Sequence, residues 1–172
     1  YIVAAKTVHT DTKSQDAIGA ISELKMEAAM MAQLKSHDNV VSLIGVVTRG
    51  QPLILVVSFC EHGSLSSFLK RKAKTEKRMS TSAKVSFASD IACGMQHLAE
   101  SGFVHRDLAA RNVLISSTMV AKVADFGLSR ATAVSTKSDD GEEEAGEYYR
   151  STKGVFPLRW TAPEAMEKGV YT

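Results

Sequence analysis

Two carboxylates, one amide and one ammonium stand out in this chain for what they could do together. Asp107 and Asn112 lie five residues apart in His105-Arg106-Asp107-Leu108-Ala109-Ala110-Arg111-Asn112. A loop that folds both toward one point offers a base for a hydroxyl proton and an oxygen ligand for a metal. Asp125, in Asp125-Phe126-Gly127, follows thirteen residues beyond Asn112 and offers a second oxygen ligand. Lys6, at the end of Val3-Ala4-Ala5-Lys6, supplies a positive charge. A carboxylate base, hard-metal ligands and a steered cation are what phosphoryl transfer requires. Any one of these groups alone reads as solvated surface charge. Their order along the chain makes a chance match untenable.

The elements that must position these groups follow from periodicity. Tyr1 to Val8 reads as a strand, and Thr10 to Ser14 as a polar connection. Ile18, Ile21, Leu24, Ala28, Met31 and Leu34 recur at helical spacing between Asp16 and Lys35. Ser36 to Asn39 breaks that helix. Val40 to Thr48 and Leu53 to Phe59 are β-rich runs joined by the turn Arg49-Gly50-Gln51-Pro52. Ser64 is placed to cap a short helix ending near Lys70, and the basic stretch Lys70 to Arg78 reads as a solvated loop. Val85, Ala88, Ile91, Ala92, Met95 and Leu98 predict a helix from Ser80 to Ser101, stopped by Gly102. Val113 to Ile115 and Val120 to Val123 read as two short strands. Strands come first and helices later, the order of an α+β fold.

Composition narrows the class further. The chain has 172 residues, 44% of them hydrophobic and 23% charged, which suits one domain with a sizeable core. A net charge of +2 argues against a nucleic-acid or anionic-membrane partner. Cys60 and Cys93 match no metal or redox spacing and read as reduced cytosolic thiols. No run of eighteen apolar residues marks a membrane span, so no membrane contact is expected from this segment.

The catalytic-loop octet matches H-R-D-L-x-x-x-N, and Ala162-Pro163-Glu164 lies beyond Asp125-Phe126-Gly127 in the expected order. By these motifs the chain resembles the protein kinase family from residue 1 to about Thr172. Ala109-Ala110-Arg111 inside the loop, and Phe156-Pro157-Leu158-Arg159-Trp160 before Ala-Pro-Glu, resemble protein-tyrosine kinases. The resemblance implies a two-lobed kinase fold, incomplete at both ends. Residues 1–59 would belong to the small β-rich lobe and residues 64–172 to the start of the helical lobe, as an internal fragment that is insoluble or inactive in isolation. No G-x-G-x-x-G precedes Lys6.

The implied chemistry is transfer of the γ-phosphoryl group of Mg-ATP to tyrosine hydroxyls. Asp107 would be the base, with Arg111 beside it, and Asn112 and Asp125 would hold Mg²⁺. Lys6 would bind the α/β-phosphates, held by Glu27, with Glu23 one turn earlier as the alternative. Ala4 would roof the adenine and Leu114 floor it. Val57 would gate the back pocket, while the carbonyl of Ser58 and the backbone groups of Cys60 would read the adenine edge. Phe126 would pack against His105, Met31 and Leu43. Tyr148 and Tyr149 would be activation-loop phosphosites, modified by another copy and paired with Arg106 and Arg130 once phosphorylated. The acidic run from Asp139 to Glu147 would favour Tyr148 as a substrate. Pro157, Arg159 and Trp160 would support the acceptor. Partners would be proteins bearing tyrosine, and the kinase region would be cytosolic, in a plasma-membrane receptor or a cytoplasmic kinase. A binding-only pseudokinase is the rival, opposed by the presence of Lys6, Asp107, Asn112 and Asp125 together.

Overall fold

Residues 2–8, 15–49, 52–74, 79–127, 129–131, 149–150, 160–168 and 170–171 are described by a computed structural model of the chain. Strand β1 (Val3–Thr7) leads to helix α1 (Gln15–Gln33), then to β2 (Leu43–Val47) and β3 (Ile54–Ser58). These strands form an antiparallel sheet in the order β1-β3-β2, with Lys6 opposite Leu55 and Ala4 opposite Val57. Leu24, Ala28 and Met31 of α1 are buried at helical spacing and pack in one core with Leu55 and Phe126. Glu27 falls inside that stripe and is itself buried, a carboxylate carried inward by an otherwise apolar face.

The second region begins with β4 (Gly63–Ser64) and α2 (Leu65–Lys74), followed by α3 (Thr81–Glu100) and β5 (Phe103–Val104). Then come β6 (Val113–Ile115), β7 (Ala121–Val123), β8 (Arg130–Ala131), β9 (Tyr149–Arg150), α4 (Pro163–Lys168) and β10 (Val170–Tyr171). β6 pairs with both β4 and β7, β5 with β8, and β9 with β10, all antiparallel. Leu65, Phe68, Phe87, Val113, Ile115 and Ala121 form a smaller core beneath α2. The Ser80 side chain caps α3 by accepting from the Ala83 N–H, a device worth about 1 kcal/mol. Gly102 closes the helix at φ +74°, a left-handed conformation that suits glycine. No helix among the described residues is long and apolar enough to cross a membrane.

Two local expectations need correction. Lys70 to Lys74 is helix rather than loop, because lysine, arginine and alanine are good helix formers and cations suit a helix C-terminus. On α3 the buried stripe runs through Phe87, Gly94 and Leu98, whereas Val85, Ala88 and Ala92 are exposed. The helix is turned so that Gly94 meets the segment after α1: a Cβ there would lie 2.5 Å from the Asn39 carbonyl oxygen. That close approach lets Asn39 reach β7. Its carbonyl accepts from the Val123 N–H at 2.8 Å, its side-chain amide donates to Ala121 O at 3.2 Å, and the Val41 N–H donates to Val123 O at 2.9 Å.

Candidate active site

β1 sets Lys6 facing α1, and the ammonium meets the Glu27 carboxylate at 2.7 and 3.0 Å. Glu23, the alternative partner, is exposed and makes no such pair. The same ammonium lies 3.0 Å from Asp125 Oδ1, joining positions 119 residues apart. Burial disfavours the charge of Lys6, but hydrogen bonds and charges from Glu27 and then Asp125 outweigh it. The ammonium therefore titrates above its ordinary value.

The loop between β5 and β6 builds the second half. Arg111 donates to one oxygen of Asp107, and Asn112 donates to the other at 2.7 Å and to the Asp107 carbonyl at 2.8 Å. The carboxylate is thus clamped in one orientation. Asn112 is buried, and its NH₂ is committed to Asp107, which leaves its Oδ1 as the atom able to ligate a cation.

His105 holds this loop to the strand that delivers Asp125. Its Nδ1 accepts from the Asp107 N–H at 3.2 Å, and its Nε2 donates to Ala124 O at 3.0 Å. Both bonds require the neutral Nε2–H tautomer. Burial pushes the imidazole pKa down in the same direction. Phe126 lies behind it with ring centroids 5.5 Å apart, in one core with Met31 and Leu43. Arg106 and Asp125 both take left-handed backbone conformations, with φ of +67° and +65°. Such positions cost of order 1–3 kcal/mol and cluster at functional sites.

A cavity of about 290 Å³ is walled by Ala4, Val41, Leu55, Val57 and Leu114, with Lys6, Asn112 and Asp125 at its polar end. Ser58 and Cys60 are not among its lining residues. The Ser58 N–H is donated to Ser42 O, and the Cys60 carbonyl accepts from the Gly63 N–H. Cys60 is buried, and burial raises its thiol pKa. A second cavity of about 330 Å³ shares Lys6, Glu27 and Asp125 with the first and extends to Asp107 and Gly127. An apolar slot opening onto a polar end suits a nucleotide whose base enters first and whose phosphates meet Lys6.

Among the described residues no group of three or more His, Cys, Asp or Glu side chains forms a metal cage. One carboxylate and one amide oxygen, Asp125 and Asn112, fit Mg²⁺, which uses few protein ligands and completes its shell with phosphate and water.

Trp160 is half exposed, and the Arg111 guanidinium lies 4.4 Å from its ring centroid. Arg106 stacks in the same way over Tyr171, at 4.5 Å. Tyr148, Pro157 and Arg159 lie outside the described residues, as do the side chains of Tyr149 and Arg130. Sequence reasoning missed Asn39, Tyr171 and Ser129, whose buried hydroxyl donates to His105 O. A polar residue ending the break after α1 was the one available signal for Asn39.

The entire chain, residues 1–172, matches the family described as protein tyrosine and serine/threonine kinase. It is 44% identical over 146 residues to ephrin type-A receptor 7 of Gallus gallus, covering 85% of this chain and 13% of that protein. It is 41% identical over 167 residues to ephrin type-A receptor 5 of Homo sapiens, covering 95% of this chain and 14% of that protein. Ephrin type-B receptor 5 of Gallus gallus is 41% identical over 176 residues, covering all of this chain and 16% of that protein. The chain thus spans a small part of the length of the curated relatives it matches. Its ordered motifs, the cleft they line and these matches lead to one conclusion: the chain belongs to the protein tyrosine and serine/threonine kinase family.

Proposed function

We propose that the protein carrying this chain transfers the γ-phosphoryl group of Mg-ATP to tyrosine hydroxyls of proteins. The observation that carries the reading is the Asp107 carboxylate, clamped by Arg111 and Asn112, at the end of a cavity where Lys6 joins Glu27 and Asp125. The acceptor oxygen bonds to the γ-phosphorus as the bond to the β–γ bridging oxygen breaks, and ADP leaves. Asp107 takes the hydroxyl proton. Lys6 holds the nucleotide phosphates in line, and Glu27 fixes Lys6. Arg111 keeps the base oriented and supplies positive charge next to the reacting centre. Asp125 and Asn112 would hold Mg²⁺, which would supply positive charge against the phosphates. Ala4, Val57 and Leu114 exclude water around the base of the nucleotide.

Tyrosine as acceptor is supported by Ala109 and Arg111 in the catalytic loop, by Trp160 beside Arg111, and by the similarity to ephrin receptors. The same similarity favours a receptor with a cytoplasmic kinase region. Tyr148 and Tyr149 are proposed as sites phosphorylated by a second copy. Replacing both by phenylalanine is expected to abolish activation by ATP preincubation.

The deciding experiment offers the full-length protein a peptide panel with tyrosine, serine or threonine as the sole acceptor. Phosphate is expected on tyrosine. Its appearance on serine or threonine alone refutes the proposal.

A further inference from the structure

Charge is unevenly distributed in this chain. Its formal net charge is +2, yet Asp139, Asp140, Glu142, Glu143, Glu144 and Glu147 crowd the stretch before Tyr148. Opposite in sign is α2, which carries Lys70, Arg71, Lys72 and Lys74 and has no acidic residue in its ten positions. All four cations are exposed. We propose that the solvent face of α2 is a docking subsite for acid upstream of an acceptor tyrosine, and that its occupant is the acidic stretch 139–147 of a second copy of this chain.

The helix is built for such a role. Leu65 and Phe68 face the core, so Ser67, Lys70, Arg71 and Lys74 share one outward stripe at i, i+3, i+4 and i+7. Like charges three and four residues apart repel and weaken a helix by a few tenths of a kcal/mol per pair. The helix dipole offsets part of that cost in the last turn, but Lys70 precedes it. The ion pairs of Lys6 and Arg111 lie at the catalytic cleft, and none of them involves Lys70, Arg71 or Lys74.

One member of the stripe is preorganised. Arg71 donates to His62 O at 2.6 Å and lies 5.9 Å from the Phe68 ring centroid. These contacts hold its guanidinium near the helix surface and reduce the side-chain entropy lost when an anion binds.

Position supplies the remaining argument. The first turn of α2 abuts the catalytic loop, where the Ser66 N–H donates to Ala110 O at 2.9 Å. From Ser66 to Lys70 and Lys74 the helix rises about 6 to 12 Å. An extended peptide with Tyr148 at Asp107 carries Glu144 to Asp139 roughly 13 to 30 Å upstream. A peptide of that length is long enough to lay several carboxylates along α2 while Tyr148 sits at Asp107. Docking lowers KM for such a substrate and leaves kcat unchanged, because the stripe touches no reacting atom.

The catalytic consequence rests on the tyrosine-kinase reading, whereas docking is measured without turnover. A fluorescent peptide of residues 138–152, and the same peptide with its acids at 139, 140 and 142–144 amidated to Asn and Gln, are titrated by anisotropy against the full-length protein without ATP. The comparison variant is K70E/K74E. Tighter binding of the acidic peptide is expected, weakened about tenfold by the double reversal and lost at high salt. In turnover assays KM should follow Kd for the acidic peptide only. Equal affinity of wild type and K70E/K74E for the acidic peptide overturns the proposal. So does a K70E/K74E defect confined to phosphatidylserine vesicles, which would assign the stripe to a lipid surface. Normal docking without phosphorylation of either peptide would refute the kinase reading and leave the subsite established.

Discussion

The Arg111 guanidinium is shared between two parts of the site: it bonds the Asp107 carboxylate and stacks 4.4 Å from the Trp160 ring centroid. The base is thereby tied to the segment that precedes Ala162-Pro163-Glu164. A cation–π contact at an exposed site is worth about 0.5–1 kcal/mol. Trp160→Ala is therefore expected to lower kcat/KM for a tyrosine peptide roughly two- to fivefold through a looser base, with ATP affinity unchanged. Parallel loss of ATP binding, measured by calorimetry, would show that Trp160 acts by another route.

Asp107 and Asp125 should fail differently. Asp107→Asn removes the proton acceptor and is expected to cut turnover by about 10²–10⁴ while nucleotide still binds. Asp125→Asn removes the charged oxygen ligand and is expected to weaken Mg²⁺-dependent ATP binding. A titration with and without Mg²⁺ separates the two. Unaltered metal dependence in Asp125→Asn would remove Asp125 from the metal site.

His105 gives the fold an acid limit. Its pKa is depressed by burial, and its Nδ1 is committed as an acceptor from Asp107 N–H. The folded state therefore binds fewer protons than the unfolded chain as pH falls. The stability carried by neutral His105 is complete above its unfolded pKa of about 6.5 and is lost as pH falls through the lower folded value. Imidazole NMR should show the Nε2–H tautomer at neutral pH and a midpoint below about 6.5. A midpoint above that value contradicts the assignment.

Gly94 tests the packing of α3 against the segment after α1. Gly94→Ala would drive a Cβ to 2.5 Å from Asn39 O and 3.0 Å from Val123 Cγ2. A backbone oxygen cannot rotate away as a side chain can. The expected cost is about 1–3 kcal/mol by denaturant unfolding, despite the better helix propensity of alanine. A stabilised variant would mean that the loop shifts freely.

The chemistry was more legible than the supports. Asp107, Asn112 and Asp125 announce themselves because a reaction dictates both residue type and spacing. Place in the ordered motifs favours Glu27 over Glu23 as the partner of Lys6, since spacing alone leaves both on neighbouring turns. Burial of one stripe of α1 makes the choice, bringing Glu27 to 2.7 Å. On α3 the expected core positions Ile91, Met95 and Leu98 do pack inward, and the others do not for a related reason. Val85, Ala88 and Ala92 have the right period, but the buried face is set by the loop that needs a glycine beneath it. The extent of α2 was underread because charge suggested a loop where helix propensity and Phe68 favour continuation. Contacts such as Arg111 on Trp160 or Arg106 on Tyr171 leave no local pattern, because each joins segments distant in sequence.

The grip of β7 on Asn39 and Val41 has a mechanical consequence. The sheet β1-β3-β2 and α1 meet the remainder through those hydrogen bonds, through the shared core and through the chain passing Cys60 to Gly63. The Lys6 ammonium bridges the cleft between them: Glu27 lies on its own side and Asp125 on the other. The Lys6–Asp125 separation, 3.0 Å here, is therefore a direct gauge of how far the cleft is closed.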